Sequence, residues 1–226
     1  MPLCFLAPFL ALPKFITRIA VVAALSVAAV HADPKLPTQQ ELQTRLQEAQ
    51  ADPELWQRLH TLGGKVAAVC ANCHGDHTGN AVLEVPYLAA QNPAYLVEQV
   101  RQFSQGIRKN TFMEGILKAL SRDEMVGMVL FYEKEKLPPR PAKDLKLLAQ
   151  GKTYYERICI NCHAADGHGN ERLPRIAGQH MGYVELTLQR YRDGSSVRSD
   201  ANMAFVTKNM SDAEIKAVAA YLQTMP

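Results

Sequence analysis

Aromatic residues are scarce in this chain, 7% of 226 residues with a single tryptophan, and Gly and Pro stand at an ordinary 13 each. That composition excludes fibrous and low-complexity proteins. Charge of one sign is also lacking: the formal balance is +3, with 21% charged and 47% hydrophobic residues, a globular composition with room for one or two domains. A long apolar run is missing too. Residues 19–30 are apolar apart from Ser26, about the length of a signal-peptide core and too short to span a bilayer alone. Cysteine is sparse, five in all, and these five carry most of the information.

Lys14 and Arg18 precede the apolar run, and Val30-His31-Ala32 followed by Asp33-Pro34 reads as a cleavage site after Ala32, making residues 1–32 a signal peptide and the mature protein an exported one. Cys4 is lost with it. The alternative is an uncleaved anchor, because residues 3–12 are also apolar. Cleavage removes two basic residues and no acidic one, leaving 23 basic and 22 acidic residues. A net +1 argues against nucleic acid as a partner.

The other four cysteines form two matching pentads, Cys70-Ala71-Asn72-Cys73-His74 and Cys159-Ile160-Asn161-Cys162-His163. C-x-x-C-H is the attachment pattern of covalent c-type haem. Two thiols three positions apart reach the two vinyl groups on one porphyrin edge, and the adjacent imidazole falls beneath the iron as proximal ligand. Two c-type haems are therefore expected, on Cys70, Cys73, Cys159 and Cys162 with His74 and His163 as metal ligands. A four-thiolate zinc site leaves both histidines unexplained. A disulfide between cysteines three apart closes a small strained ring, more often a redox site.

The repeat extends past the pentads. Pro86 pairs with Pro174, Gln91 with Gln179, Tyr95 with Tyr183, Phe103 with Tyr191, Gly106 with Gly194, Arg108 with Arg198, Met113 with Met203 and Ser121 with Ser211. Duplication makes each half a domain: residues 63–137 and 149–226, joined by a Pro-rich linker over 138–148 in which Leu137-Pro138-Pro139-Arg140-Pro141 stops a helix and stiffens the connection. Each copy reads as three short helices. The first enters the pentad from about Gly64 or Gly151; the middle one starts at an Asn92-Pro93 cap and buries Leu96, Val100 and Phe103. The last opens on capping boxes, Ser121 with Glu124 and Ser211 with Glu214, and buries Met125, Met128, Val129 and Tyr132 in one copy and Ile215, Val218, Ala219 and Leu222 in the other. The fold class is all-α.

The sixth iron ligand decides the chemistry: a thioether fills the coordination sphere and suits reversible electron transfer, whereas an open position suits catalysis. Met113 and Met203, each five residues after the paired arginine and expected in a loop between helices, are the matched candidates; Met210 pairs with Leu120 and reads as a core contact. His60, His77, His168 and His180 are spare imidazoles whose positions do not correspond between copies. The carbonyls of Pro86 and Pro174, about a dozen residues beyond the proximal histidines, are placed to accept the imidazole N–H, although both prolines also suit simple turns.

On the pentads, Pro86 and Pro174, the Gln91/Tyr95 and Gln179/Tyr183 pairs, the loops ending at Met113 and Met203 and the capped last helices, the chain from about Gly63 onward resembles the di-haem class I cytochromes c, most closely the cytochrome c4 family. The resemblance implies two tandem class I domains with His/Met iron and an electron shuttle in the periplasm, mobile or loosely membrane-associated. Its donor would be a quinol-oxidising complex or a dehydrogenase, its acceptor a terminal oxidase, and no substrate is transformed. A second reading is the electron-accepting subunit of a periplasmic dehydrogenase of sulfur compounds; a third, a di-haem peroxidase, is opposed by the matched methionines. Residues 33–62 depart from the family. Leu42, Leu46 and Ala49 at helical spacing, followed by Pro53-Glu54-Leu55-Trp56, predict one or two extra helices that either cover the first domain or present Trp56 to a partner.

Overall fold

The computed structural model describes residues 36–75, 82, 84–137, 140–141, 144–195 and 197–226, and among these there is no strand. The segment read as a signal peptide lies outside the described residues. Helix α1 (Gln39–Ala51) opens on a complete Thr38/Glu41 capping box and buries Leu42, Leu46 and Ala49. Asp52 then caps α2 (Pro53–His74) by accepting from the Glu54 and Leu55 amides, with Pro53 at the first helical position, where its missing N–H costs nothing. The extension is thus one new helix plus a lengthening of the pentad helix, which runs unbroken from Pro53 rather than starting near Gly64. Trp56 is half-buried on the first core and stacks on His60 at 4.6 Å, and Arg45 grips Asp123 with two 2.8 Å bonds. These contacts describe a cover.

The first half continues with α3 (Pro93–Ser104), α4 (Thr111–Lys118) and α5 (Arg122–Lys134). The second contains α6 (Leu145–Tyr154), a π-helical turn (Tyr155–Cys159), α7 (Ile160–His163), α8 (Met181–Arg192), α9 (Ala201–Thr207) and α10 (Asp212–Leu222). Helix α6 therefore begins inside the segment read as linker. Each half has its own apolar core, one gathering α1–α5 and the other running from Tyr155 to Met225. All the apolar residues assigned to the core faces of α3, α5 and α10 are buried. Both late capping boxes form.

In each half the pentad helix crosses the last helix at a glycine. A Cβ on Gly63 would stand 1.9 Å from the Gly127 carbonyl oxygen, and one on Gly151 1.9 Å from that of Ala217; only glycine lets the backbones meet so closely. From the crossing to the first pentad cysteine is seven residues in the first half and eight in the second. The π turn at Tyr155–Cys159 takes up the additional residue, which is how an insertion enters a helix without shifting both of its ends.

Candidate functional site

Both proximal histidines end a helix and turn inward. His74 and His163 are 8% and 7% exposed. Nδ1 of His74 is 2.8 Å from the carbonyl oxygen of Pro86, and Nδ1 of His163 is 3.2 Å from that of Pro174. A carbonyl can only accept, so Nδ1 carries the hydrogen and Nε2 keeps its lone pair. Burial holds both imidazoles below their usual pKa despite these bonds, with the Arg108 charge adding to the effect at His74. A neutral imidazole anchored through Nδ1–H has its ring oriented and its Nε2 lone pair free to ligate a metal.

The four thiols divide between the two cores: Cys70 packs against the first and Cys159 against the second, so they do not gather into one four-thiolate site. All four are free thiols. Burial pushes the Cys70 pKa up and that of Cys159 up to about 12, the reverse of the lowered pKa of a disulfide-exchanging pair. Apolar surroundings, a C-x-x-C-H spacing and an oriented imidazole are what haem attachment requires.

The methionines are placed differently from the sequence expectation. Met113 and Met203 lie in helices, each at the third position: Asn110 caps α4 by accepting from the Met113 amide, and Asp200 caps α9 by accepting from the Met203 amide, both at 2.9 Å. A short polar residue three before the methionine is an N-cap signal that the loop reading passed over. Both methionines are half-buried, whereas Met210 is a core residue. Of the spare histidines, His60 is sandwiched by Trp56 and Phe131, His168 reaches Asp166 and the Pro226 carbonyl, and His180 lies against Tyr87. His77 falls outside the described residues.

A cluster that the sequence reading paired but gave no role lies between the halves. Arg108 donates to Gln99 at 2.7 Å and to the Tyr183 hydroxyl at 3.1 Å. Arg198 donates to Tyr183 at 2.9 Å and to Tyr95 at 2.8 Å. Each arginine lies over an aromatic ring of its own half, Phe103 at 4.5 Å and Tyr191 at 5.5 Å. Although burial disfavours its phenolate, the Arg198 and Arg108 charges pull the Tyr183 hydroxyl below its usual pKa. Among the described residues neither guanidinium forms an ion pair with a carboxylate. Two cations converging on neutral oxygens form a receptor for an anion, and haem carries two propionates; this site fits it. Gln99 had no sequence signal, since its counterpart is Thr187.

The cytochrome c family model matches residues 148–226. Cytochrome c4 of Azotobacter vinelandii is 30% identical over 178 residues, 70% of this chain and 84% of that relative. The thiosulfate dehydrogenase electron acceptor of Thiomonas intermedia is 32% identical over 173 residues, 71% of this chain and 80% of that relative. The crystal structure of reduced recombinant cytochrome c4 from Pseudomonas stutzeri superposes with a TM-score of 0.65 at 28% identity, covering 74% of this chain and 97% of that one. Duplicated C-x-x-C-H helices, oriented imidazoles and these likenesses agree: the chain belongs to the cytochrome c4 family of electron carriers, two tandem class I cytochrome c domains with two covalently bound haem c groups.

Proposed function

We propose that Cys70 and Cys73 hold one haem by thioether bonds and Cys159 and Cys162 the other. His74 and His163 are the proximal ligands through Nε2, and Met113 and Met203 are the sixth ligands. The observation that carries this reading is the matched pair of histidine-to-proline carbonyl bonds at the two pentads. When bound, each haem supplies a one-electron Fe(III)/Fe(II) couple. The chain's own residues orient the imidazoles, and the Arg108 and Arg198 charges would neutralise propionates between the halves, with Tyr95 and Tyr183 positioning the guanidiniums. The two domains divide at the Pro-rich connection, with α6 from Leu145 opening the second.

The protein works in the periplasm after loss of residues 1–32, free or loosely membrane-associated. It takes electrons from a quinol-oxidising complex or a dehydrogenase, passes them to a terminal oxidase or another redox protein, and transforms no substrate. A second reading, the electron-accepting subunit of a thiosulfate-oxidising enzyme, is supported by the likeness to the Thiomonas protein of that name. Absorption spectra of the purified protein test the ligand set: two haems by pyridine haemochrome, both low-spin, with the near-infrared methionine-to-iron band at full strength and unmoved by cyanide. A high-spin component or a half-strength band sinks the assignment of Met113 or Met203. Reduction by thiosulfate dehydrogenase faster than by quinol-oxidising membranes would favour the second reading.

A further inference from the structure

Two buried glutamines, paired by the repeat, cross between the halves. The Gln179 Oε1 atom accepts from the Tyr87 amide at 2.8 Å and from the His180 amide at 2.9 Å, while its Nε2 donates to the Tyr87 carbonyl at 3.0 Å. Gln91 does the same in the other direction: Oε1 accepts from the Arg175 amide at 2.8 Å and from that of Asn92 at 2.9 Å, and Nε2 donates to the Arg175 carbonyl at 2.9 Å. Gln91 and Gln179 are 7% and 6% exposed.

Tyr87 and Arg175 are the residues after Pro86 and Pro174. The Pro86 carbonyl and the Tyr87 amide are therefore two ends of one planar peptide group. At one end it accepts from His74, and at the other it donates to Gln179 of the opposite half. The chain His74 Nδ1–H to Pro86 carbonyl, Tyr87 N–H to Gln179 Oε1, has an exact counterpart in His163, Pro174, Arg175 and Gln91. Hydrogen bonds in series through a peptide polarise one another. Accepting from the amide makes the carbonyl a stronger acceptor, which gives the imidazole more anionic character and favours Fe(III).

We infer that Gln179 is a positioning residue that tunes the haem bound by His74, and Gln91 one that tunes the haem bound by His163: each domain sets the proximal ligand of the other. The inference rests on the proposed roles of His74 and His163. Its signature is crossed selectivity. Gln179→Leu removes the acceptor at Tyr87, so the first haem becomes easier to reduce by three- to tenfold in its reduction equilibrium, about 30 to 60 mV for one electron, and the second haem stays put. Gln91→Leu moves the second haem and leaves the first.

The test is a redox titration of the full-length holoprotein followed by NMR, with each haem's resonances assigned through contacts to its own half, together with hydrogen exchange at Tyr87 and Arg175. Crossed shifts with faster exchange at Tyr87 in Gln179→Leu and at Arg175 in Gln91→Leu support the inference. Shifts in the haem of the mutated domain, equal shifts in both haems from a loosened interface, or no shift overturn it. His163→Gly separates the two levels. If that variant keeps two unaltered low-spin haems, the ligand assignment itself fails; if one haem loses its ligand while Gln91→Leu leaves the second potential alone, only the cross-domain tuning fails.

Discussion

The residue after each proximal histidine must turn the chain sharply, and the two halves do so with different residues. Gly75 sits at φ 74°, ψ 162°, and Ala164 at φ 65°, ψ 169°. That region is natural to glycine and costs other residues ~1–3 kcal/mol. The second half holds the strained alanine through its own carbonyl, which accepts from the Tyr155 hydroxyl at 2.6 Å and from the Gly167 amide at 3.3 Å. Tyr155 is fully buried and lies in the π turn. The first half needs no such brace because glycine adopts the turn freely.

Ala164→Gly therefore relieves strain but gives the unfolded chain more freedom, a penalty of ~0.4–1 kcal/mol. The net expectation is stabilisation by about 1 kcal/mol, which raises Tm by roughly 2–4 °C in a chain of this size. Gly75→Ala imposes the strain and costs about 1–3 kcal/mol. Tyr155→Phe leaves the Ala164 carbonyl with only its longer bond, at a cost of about 1 kcal/mol. In the Ala164→Gly background that cost shrinks, because the turn no longer has to be held. Thermal unfolding of the four holoproteins and the double variant, monitored by haem circular dichroism, decides the matter. An Ala164→Gly protein less stable than the parent, or a Tyr155→Phe cost unchanged by it, refutes the strain-and-brace account.

Gly151→Ala drives a methyl into the Ala217 carbonyl and should cost about 1–3 kcal/mol by overpacking, read as a lower guanidinium midpoint; an unchanged midpoint would mean that the helices separate freely. The Arg45 guanidinium holds the Asp123 carboxyl below its usual pKa, mainly by direct hydrogen bonding. A depressed pKa stabilises the fold above the unfolded value of ~3.9, and that contribution is lost as pH falls through the folded value. Asp123→Asn should therefore lower Tm at pH 7 by an amount that shrinks as pH falls below the unfolded value; a pH-independent difference would assign the loss to packing. Ser211→Ala removes one capping box and should destabilise by ~1 kcal/mol, seen as a Tm decrease that Ser211→Asp largely restores.

Periodicity and capping made the helices legible. Leu42, Leu46 and Ala49, or Ile215, Val218, Ala219 and Leu222, repeat with the helical turn, and the capping boxes at Thr38, Ser121 and Ser211 each mark a start. The pentads were legible because haem attachment is local in sequence. What escaped depended on the other half. Asn92 was expected to cap α3; it stands at the N-cap position without a side-chain capping bond, and its Nδ2 donates instead to the carbonyls of His168, Asn170 and Leu173 at 2.7–3.0 Å. The methionine helices α4 and α9 are short and carry no apolar stripe long enough to show a period, so only their Asn110 and Asp200 caps betray them. The π turn is invisible to any helical periodicity and emerges only from comparing the two glycine-to-cysteine spacings.

Duplication left a nearly two-fold arrangement, and the chemistry at its centre explains why the halves stay together. Arg108 and Arg198 converge on Tyr183, a placement that electrostatics opposes until anions arrive. Each arginine bonds a tyrosine that stabilises the other half's edge of the cluster, so neither half alone would hold its propionates in the same way. The glutamine staples have the same logic: the groups that orient His74 and His163 end on side chains from across the interface. A free rotation of the domains would break both sets at once. The Pro-rich connection counters it, with Leu137 buried against Gly178 and the Arg140 amide donating to the Gln223 carbonyl at 3.0 Å. In a didomain carrier built this way the peptide that orients each pentad histidine is held from the opposite half, and the departures from symmetry, Ala164 for Gly75 and the π turn beside it, are where the two haems can come to differ.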